Sequence, residues 1–211
     1  MPRYIYGEDP ASQNDFFGIV IHEMPSPTRE TPKPVPKLRD LYKLNHTSFD
    51  KIIEFHTKEL FRKFPPSLIV IDYTNERTFT DIMEARFGKS RISKINFSSG
   101  ISGTKKMLKD DGLSILKQGY RFPNPANILD SAKSQLVREL IEQLKHEEMK
   151  LTQSGRESFD HPTGRHNDMG IGWELSIHGC IHLGLKVDLP SNHAVGQIQE
   201  EPVINYGIGI F

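Results

Sequence analysis

Two acidic residues stand where apolar stretches end: Asp9 after YIYGE, and Asp72 at the close of LIVID. A third, Asp168, opens the glycine-containing apolar stretch DMGIGWEL, directly behind His166 and Asn167. If the first two stretches are strands of an α/β sheet, both acids lie at its carboxyl edge, where the ligand sites of such sheets gather. A buried run that ends in an ionisable group is costly unless the charge is paired or holds a cation. Three carboxylates from distant parts of the chain, with Asp15 near the first, would make an all-oxygen site suited to Mg²⁺ or Mn²⁺. Two such ions about 3.5–4 Å apart can activate water and stabilise the leaving oxygen in phosphodiester cleavage. Each residue also has a plainer role. Asp9 before Pro10 suits a turn, Asp72 suits an Asx turn, and Asn167 or Asp168 suits a helix N-cap. Singly these signals are weak; together they specify a chemistry.

The elements that must position these residues can be read from periodicity. RYIYG (3–7) and FFGIVIHEM (16–24) read as two strands of an antiparallel hairpin. Residues 25–37 hold five prolines in thirteen positions, so they read as an excursion that cannot pair in a sheet. Phe49, Ile52, Ile53, Leu60 and Phe64 mark one helical face over 47–64, stopped by Pro65-Pro66. SLIVID (67–72) reads as a strand buried on both faces. A helix is predicted over 76–87, closed by Gly88, followed by a strand at 91–97 and a basic helix ending at Gly119. YRFP (120–123) suggests a short strand. The longest helix is predicted at about 126–149, on a stripe of Leu129, Ala132, Leu136, Leu140 and Leu144. An apolar helix should run from about Asp168 to Leu183, where Gly170, Gly172 and Gly179 allow close packing on a sheet. The order gives an α/β chain with a mixed sheet, antiparallel pair first.

The whole chain has 211 residues, enough for one domain with a sizeable core, here expected over 1–187 with 188–211 as a C-terminal extension. Lys+Arg and Asp+Glu are equal at 27 each, so overall charge advertises neither a nucleic acid nor a membrane, and any basic surface must be local. Lys105, Lys106 and Lys109 are the local candidates for contacts to DNA phosphates, with a solvated helix face as the plainer alternative. The single Cys180 excludes an internal disulfide and any multi-cysteine zinc site. Without a long apolar run or a signal-type N-terminus, a cytoplasmic protein with no membrane partner is expected.

The order of these pieces resembles the nuclease domain of viral, phage-type terminase large subunits. YIYGEDPASQNDFFGIVI is similar to that family's first motif, a strand ending in a Gly-x-Asp-Pro-Ala type turn. LIVIDYTNERTFTDIMEARFG is similar to the second, an acid-tipped strand followed by Thr and a helix, and FDHPTGRHNDMGIGWEL to the third. The resemblance spans about residues 3–183. It implies a ribonuclease H-like mixed sheet flanked by helices, and Mg²⁺- or Mn²⁺-dependent cutting of concatemeric viral DNA during packaging. It implies that Asp9, Asp72 and Asp168 are the metal triad, that Asp15 is an accessory acid, and that His166 contacts the scissile phosphate or supports the ligands. The chain departs from the family pattern at Asn167, where an acid is usual, so Asn167 is a weaker ligand or a cap. The implied partners are double-stranded DNA, an ATPase motor on the same or another chain, and the portal and capsid assembly. Another ribonuclease H-like nuclease, such as a junction resolvase or transposase-like enzyme, or a non-catalytic DNA-binding module of this fold, are the alternatives.

Two further signals carry less. GISGTKK (100–106) lacks the spacing of a nucleotide-binding P-loop. HGCIH (178–182) sets His178 and His182 four residues apart, but no HExxH motif exists and Cys180 would point away from both. With no third or fourth ligand in view, a structural or incidental role is expected for this pair.

Overall fold

A computed structural model describes residues 3–10, 16–31, 34–45, 47–74, 76–97, 101–146, 148–151, 157–160 and 167–183, the side chains of 101–103, 148–151, 157–160 and 183 excepted. Asp15, His166 and the 188–211 extension lie outside the described residues. Five strands form one mixed sheet: β1 (Arg3–Asp9), β2 (Phe16–Met24), β3 (Lys37–Asn45), β4 (Pro66–Asp72) and β5 (Ile92–Ile95), in the order β3-β2-β1-β4-β5. β1 pairs antiparallel with β2 and parallel with β4, and β4 pairs parallel with β5. The expected hairpin-first mixed sheet is therefore present. β3 was not expected. Its sequence, KLRDLYKLN, carries charges along an edge strand, where one side of the ladder faces outward, so the usual apolar alternation is missing.

Strict alternation along β1, β2 and β4 sorts their side chains onto two faces. Tyr6, Phe17, Ile19, Ile21, Ile69 and Ile71 lie on one, packed with Ile52, Ile53 and Leu60. Those last residues belong to α1 (Phe49–Phe55) and a π-helical turn (His56–Leu60), which a one-turn helix, α2 (Phe61–Lys63), continues. Phe79 and Met83 of α3 (Arg77–Phe87) complete that layer. Each fully buried Ile or Phe side chain contributes about 1.5–3 kcal/mol from leaving water, so this layer anchors the sheet. Gly88 after α3 and Gly119 after the next helix have φ of 87° and 100°, the left-handed backbone that ends a helix cheaply only at glycine.

The opposite face carries Ile5, Val20, Leu68 and Val70, and receives α6 (Asp168–His178), which runs on as a π-helical segment (Gly179–Leu183). α4 (Ile101–Lys117) and α5 (Ser131–Lys145) cover α6 from outside through Ile115, Val137, Leu140 and Leu108. A helix enclosed in this way must be apolar nearly all round, and all of α6 but Ile171 is buried. The close packing expected of the helix glycines holds for Gly172, against Gly7 and Val20, and for Gly179, against Ile5 and Val70, whereas Gly170 faces the Asn167 side chain instead of the sheet. A Cβ on Gly7 of β1 would lie 1.9 Å from the Gly172 carbonyl oxygen and 2.5 Å from the Ser176 amide nitrogen.

Three boundaries differ from expectation. α5 begins at Ser131, because Asp130 caps it by accepting from the Ala132 and Lys133 amides at 2.9 and 3.1 Å. Leu129 falls before that cap and is fully exposed, so it is not part of the buried stripe. Residues 120–123 form no strand; instead Tyr120 and Phe122 pack their rings against Trp173 of α6. A separate two-stranded antiparallel ribbon, β6 (Glu148–Leu151) with β7 (Glu157–Asp160), occupies part of the stretch read as helix end and polar turn.

Under α6 lies a fully buried histidine, His22, bonded at both ring nitrogens. Ser176 Oγ donates to the Trp173 carbonyl at 2.7 Å, so it accepts from His22 Nδ1 at 2.8 Å. Burial pushes the His22 pKa down to about 3, so the ring is neutral in the native state. Its Nε2 then accepts from Tyr120 Oη at 2.8 Å, and that oxygen accepts from Trp173 Nε1 at 3.1 Å. The unfolded chain binds a proton near pH 6.5, before the folded one does, so this contribution is complete above that pH and lost as pH falls towards 3. Stability should therefore drop by about 2 kcal/mol between pH 6.5 and 5 from His22 alone. Urea midpoints of the parent and of His22→Gln at both pH values check this; the variant should show the smaller drop.

Candidate metal site at the carboxyl edge of the sheet

Asp9 and Asp72 end neighbouring parallel strands. Gly7 is level with Val70 and Glu8 with Ile71, and one further step sets Asp9 beside Asp72. Alternation assigns both to the face that receives α6, because Ile5 and Gly7 precede Asp9 there, as Leu68 and Val70 precede Asp72. Asp168 reaches the same edge through the helix. Gly18 is the cross-strand partner of Asp9, and a Cβ on Gly18 would come within 2.5 Å of the Asp168 carbonyl oxygen. The structure therefore brings the ends of β1 and β4 and the start of α6 to one edge and one face.

Local contacts fix these groups further. Asp72 Oδ1 accepts from the Thr74 amide at 2.8 Å, the Asx turn anticipated from the sequence, and Thr74 Oγ1 accepts from the Phe97 amide at 2.8 Å. Burial raises the Asp72 carboxyl above its ordinary value, against the pull of Thr74 and of the nearby Lys105 charge. Asn167 occupies the N-cap position of α6 and is buried, with its side chain over Gly170. The Gly170 amide is satisfied from α5, donating to Gln143 Oε1 at 2.8 Å.

The expected DNA-facing trio divides. Lys109 is turned inward, only 13% exposed, and pairs with Glu174 of α6. Burial drives the Glu174 carboxyl up and the Lys109 amine down, and their mutual contact opposes both shifts. Lys105 lies close enough to lower both the Asp72 and the Glu174 carboxyl, which puts its charge beside the acidic edge. Lys106 is the exposed member, 3.7 Å from Asp110 one turn on.

Sequence reasoning passed over two buried ionic pairs. Glu174 stood out as a lone acid inside an apolar helical run, the signal that would have found it. Glu8, on the far face from Asp9, bonds His56 Nε2 at 2.7 Å, while His56 Nδ1 donates to the Ile52 carbonyl at 2.7 Å. Burial depresses the His56 pKa, but the Glu8 carboxylate outweighs it and the net shift is upward.

No protein-family model and no curated protein matches this chain. Solved structures do. The magnesium-bound large terminase nuclease of thermophilic phage G20c aligns over 83% of this chain and 80% of its own, with a TM-score of 0.60 at 16% identity. The large terminase nuclease domain of Thermus phage P74-26 aligns over 84% and 80%, with a TM-score of 0.58 at 16% identity. A cobalt-bound G20c structure aligns with a TM-score of 0.55 at 13% identity. The fold is that of the large terminase nuclease domains, ribonuclease H-like. The acids gathered at this edge, Asp9, Asp72 and Asp168, offer carboxylate oxygens, the ligand type a hard divalent ion takes. Among the described residues, no helix is long and apolar enough to cross a membrane.

Proposed function

We propose that this chain is the nuclease module of a DNA-packaging terminase and hydrolyses phosphodiester bonds of double-stranded DNA with Mg²⁺ or Mn²⁺. The observation that carries the reading is the placement of Asp9, Asp72 and the start of α6 at one edge and face of a terminase-nuclease fold. In this reading Asp9, Asp72 and Asp168 hold the ions, with Asn167 as a neutral neighbour and Asp15 as an accessory acid. His166 contacts the scissile phosphate or supports a ligand. A bound divalent ion supplies charge stabilisation on the phosphate oxygens and acidifies its water. The protein does the rest. The Thr74 amide holds the Asp72 carboxylate in place, and the backbone contact of Gly18 with α6 sets the distance from Asp168 to the strands. Lys105 offers a positive charge to the DNA backbone beside the acids, where it adds affinity without reading sequence.

The motor that translocates DNA, on the same or another chain, and the portal would be its partners, in the cytoplasm of the host cell. Incubation of supercoiled plasmid with the protein tests the reading. Conversion to nicked and linear forms in Mg²⁺ or Mn²⁺, abolished by a chelator, is expected. An intact plasmid under all conditions, with DNA still bound, would favour the non-catalytic module instead.

Lys105 and Lys106 should also separate from Lys109. The double change Lys105→Ala with Lys106→Ala is expected to weaken binding to all sequences equally and reduce the salt slope of log K by about 1–2. Lys109→Met should leave that slope unchanged and lower the melting temperature, because it strands the buried Glu174 carboxylate. Filter binding across a salt series distinguishes the two.

A further inference from the structure

The HGCIH pair lacked a third ligand in the sequence, and the fold supplies one. Asp111 of α4 is buried against the end of α6, 67 residues before His178. His178 Nδ1 lies 2.8 Å from Asp111 Oδ2, and His182 Nε2 lies 2.8 Å from Asp111 Oδ1. One ligand atom from each of the three falls within 4.8 Å of the others. We propose that Asp111, His178 and His182 form a second metal centre, apart from the acidic edge, for a borderline transition ion of the zinc class.

The donor set decides the class. Two imidazole nitrogens and one carboxylate oxygen suit Zn²⁺ and its neighbours, whereas Mg²⁺ and Ca²⁺ prefer all-oxygen surroundings. Ligand atoms about 2.0–2.2 Å from a tetrahedral ion stand about 3.3 Å apart, so the present 2.8 Å contacts need open only slightly. The two rings are already side by side, with centroids 4.8 Å apart, at the junction of α6 and its π-helical continuation. His178 and Asp111 are largely covered, at 9% and 12% side-chain exposure, while His182 is 47% exposed. The centre thus has a firm base and an approach from solvent, which leaves the fourth position to water. Cys180 is excluded as a ligand because it is buried with Ile5, Leu68 and Val70 against the sheet. His178 is ten residues along α6 from Asp168, about 15 Å at helical rise, so the two centres do not share an ion. An ion here would clamp α4 to the far end of the helix that carries Asp168.

Calorimetric titration of Zn²⁺ into the chelator-stripped full chain, with millimolar Mg²⁺ present, tests this. One Zn²⁺ per chain is expected, with a rise in melting temperature on loading. His182→Ala, at a half-exposed site, should lower Zn²⁺ affinity by more than about 100-fold and remove the thermal gain, since losing even an outer-shell partner costs about 10–100-fold. His182→Gln keeps a hydrogen bond to Asp111 and the fold but not the strong ligand, and should behave the same way. Asp168→Asn should bind Zn²⁺ as the parent does. Absence of Zn²⁺ binding, binding unchanged in both His182 variants, or binding lost in Asp168→Asn would each overturn the proposal.

Discussion

Gly7→Ala is expected to destabilise the protein by more than about 3 kcal/mol, about 10 °C in melting temperature for a chain of this size. The added methyl would meet two backbone atoms of α6, the Gly172 oxygen at 1.9 Å and the Ser176 nitrogen at 2.5 Å. Overpacking costs about 1–3 kcal/mol when side chains can rearrange, and here the helix itself must shift. That shift would also disturb His22 and Ser176, whose hydrogen bond joins β2 to α6. Thermal unfolding followed by circular dichroism measures the effect. A melting temperature within about 2 °C of the parent would show that α6 does not rest on β1 as described. Gly18→Ala offers a graded companion, since its methyl would press on the Asp168 carbonyl at the edge of the site.

The parts of this fold with strong periodicity were legible in the sequence. The hairpin of β1 and β2, the buried β4, α3 with its terminal Gly88, and α6 all follow from apolar spacing and turn chemistry. β3 was hidden because its inward group includes Asp40, held by Lys133 and Tyr42 rather than by apolar neighbours. The start of α5 was misplaced because Leu129 continued a leucine stripe that the Asp130 cap interrupts. At the site, the strand-end acids, Gly172 of α6 and Gly179 just after it could be read locally, whereas Gly7 and Gly18 beneath the helix could not. The inward turn of Lys109 could not, since it depends on Glu174 from a distant helix. The same holds for Asp111, whose histidine partners lie 67 and 71 residues away. Side-chain pairings of that range leave no trace in local spacing.

Asp168→Asn is expected to reduce metal-dependent DNA cleavage by about 10³-fold or more while leaving fold and DNA binding near those of the parent. A carboxylate holds a hard divalent cation through its charge, and an amide of the same shape offers only a dipole. Losing several kcal/mol of charge stabilisation at the phosphate corresponds to about three decades in rate, at about 1.4 kcal/mol per decade. The helix itself should tolerate the change, because Asn and Asp are close in size and the Gly170 amide is held by Gln143. Single-turnover cleavage of a labelled duplex, alongside binding to the same duplex without metal, separates catalysis from affinity. Asp72→Asn should match it, because its charge sits on the neighbouring strand at the same edge. Cleavage by Asp168→Asn at the parental rate would remove that residue from the metal set.

In the proposed function, the ends of β1 and β4 and the start of α6 together bind the divalent ions that cut DNA. Crystals of the full chain soaked in Mn²⁺ and measured near the manganese absorption edge address it directly through anomalous scattering. Anomalous density bounded by the carboxylates of Asp9, Asp72 and Asp168 is expected, and should disappear in crystals of Asp168→Asn grown and soaked in the same way. Density confined to other positions, with the three carboxylates empty of manganese, would contradict it.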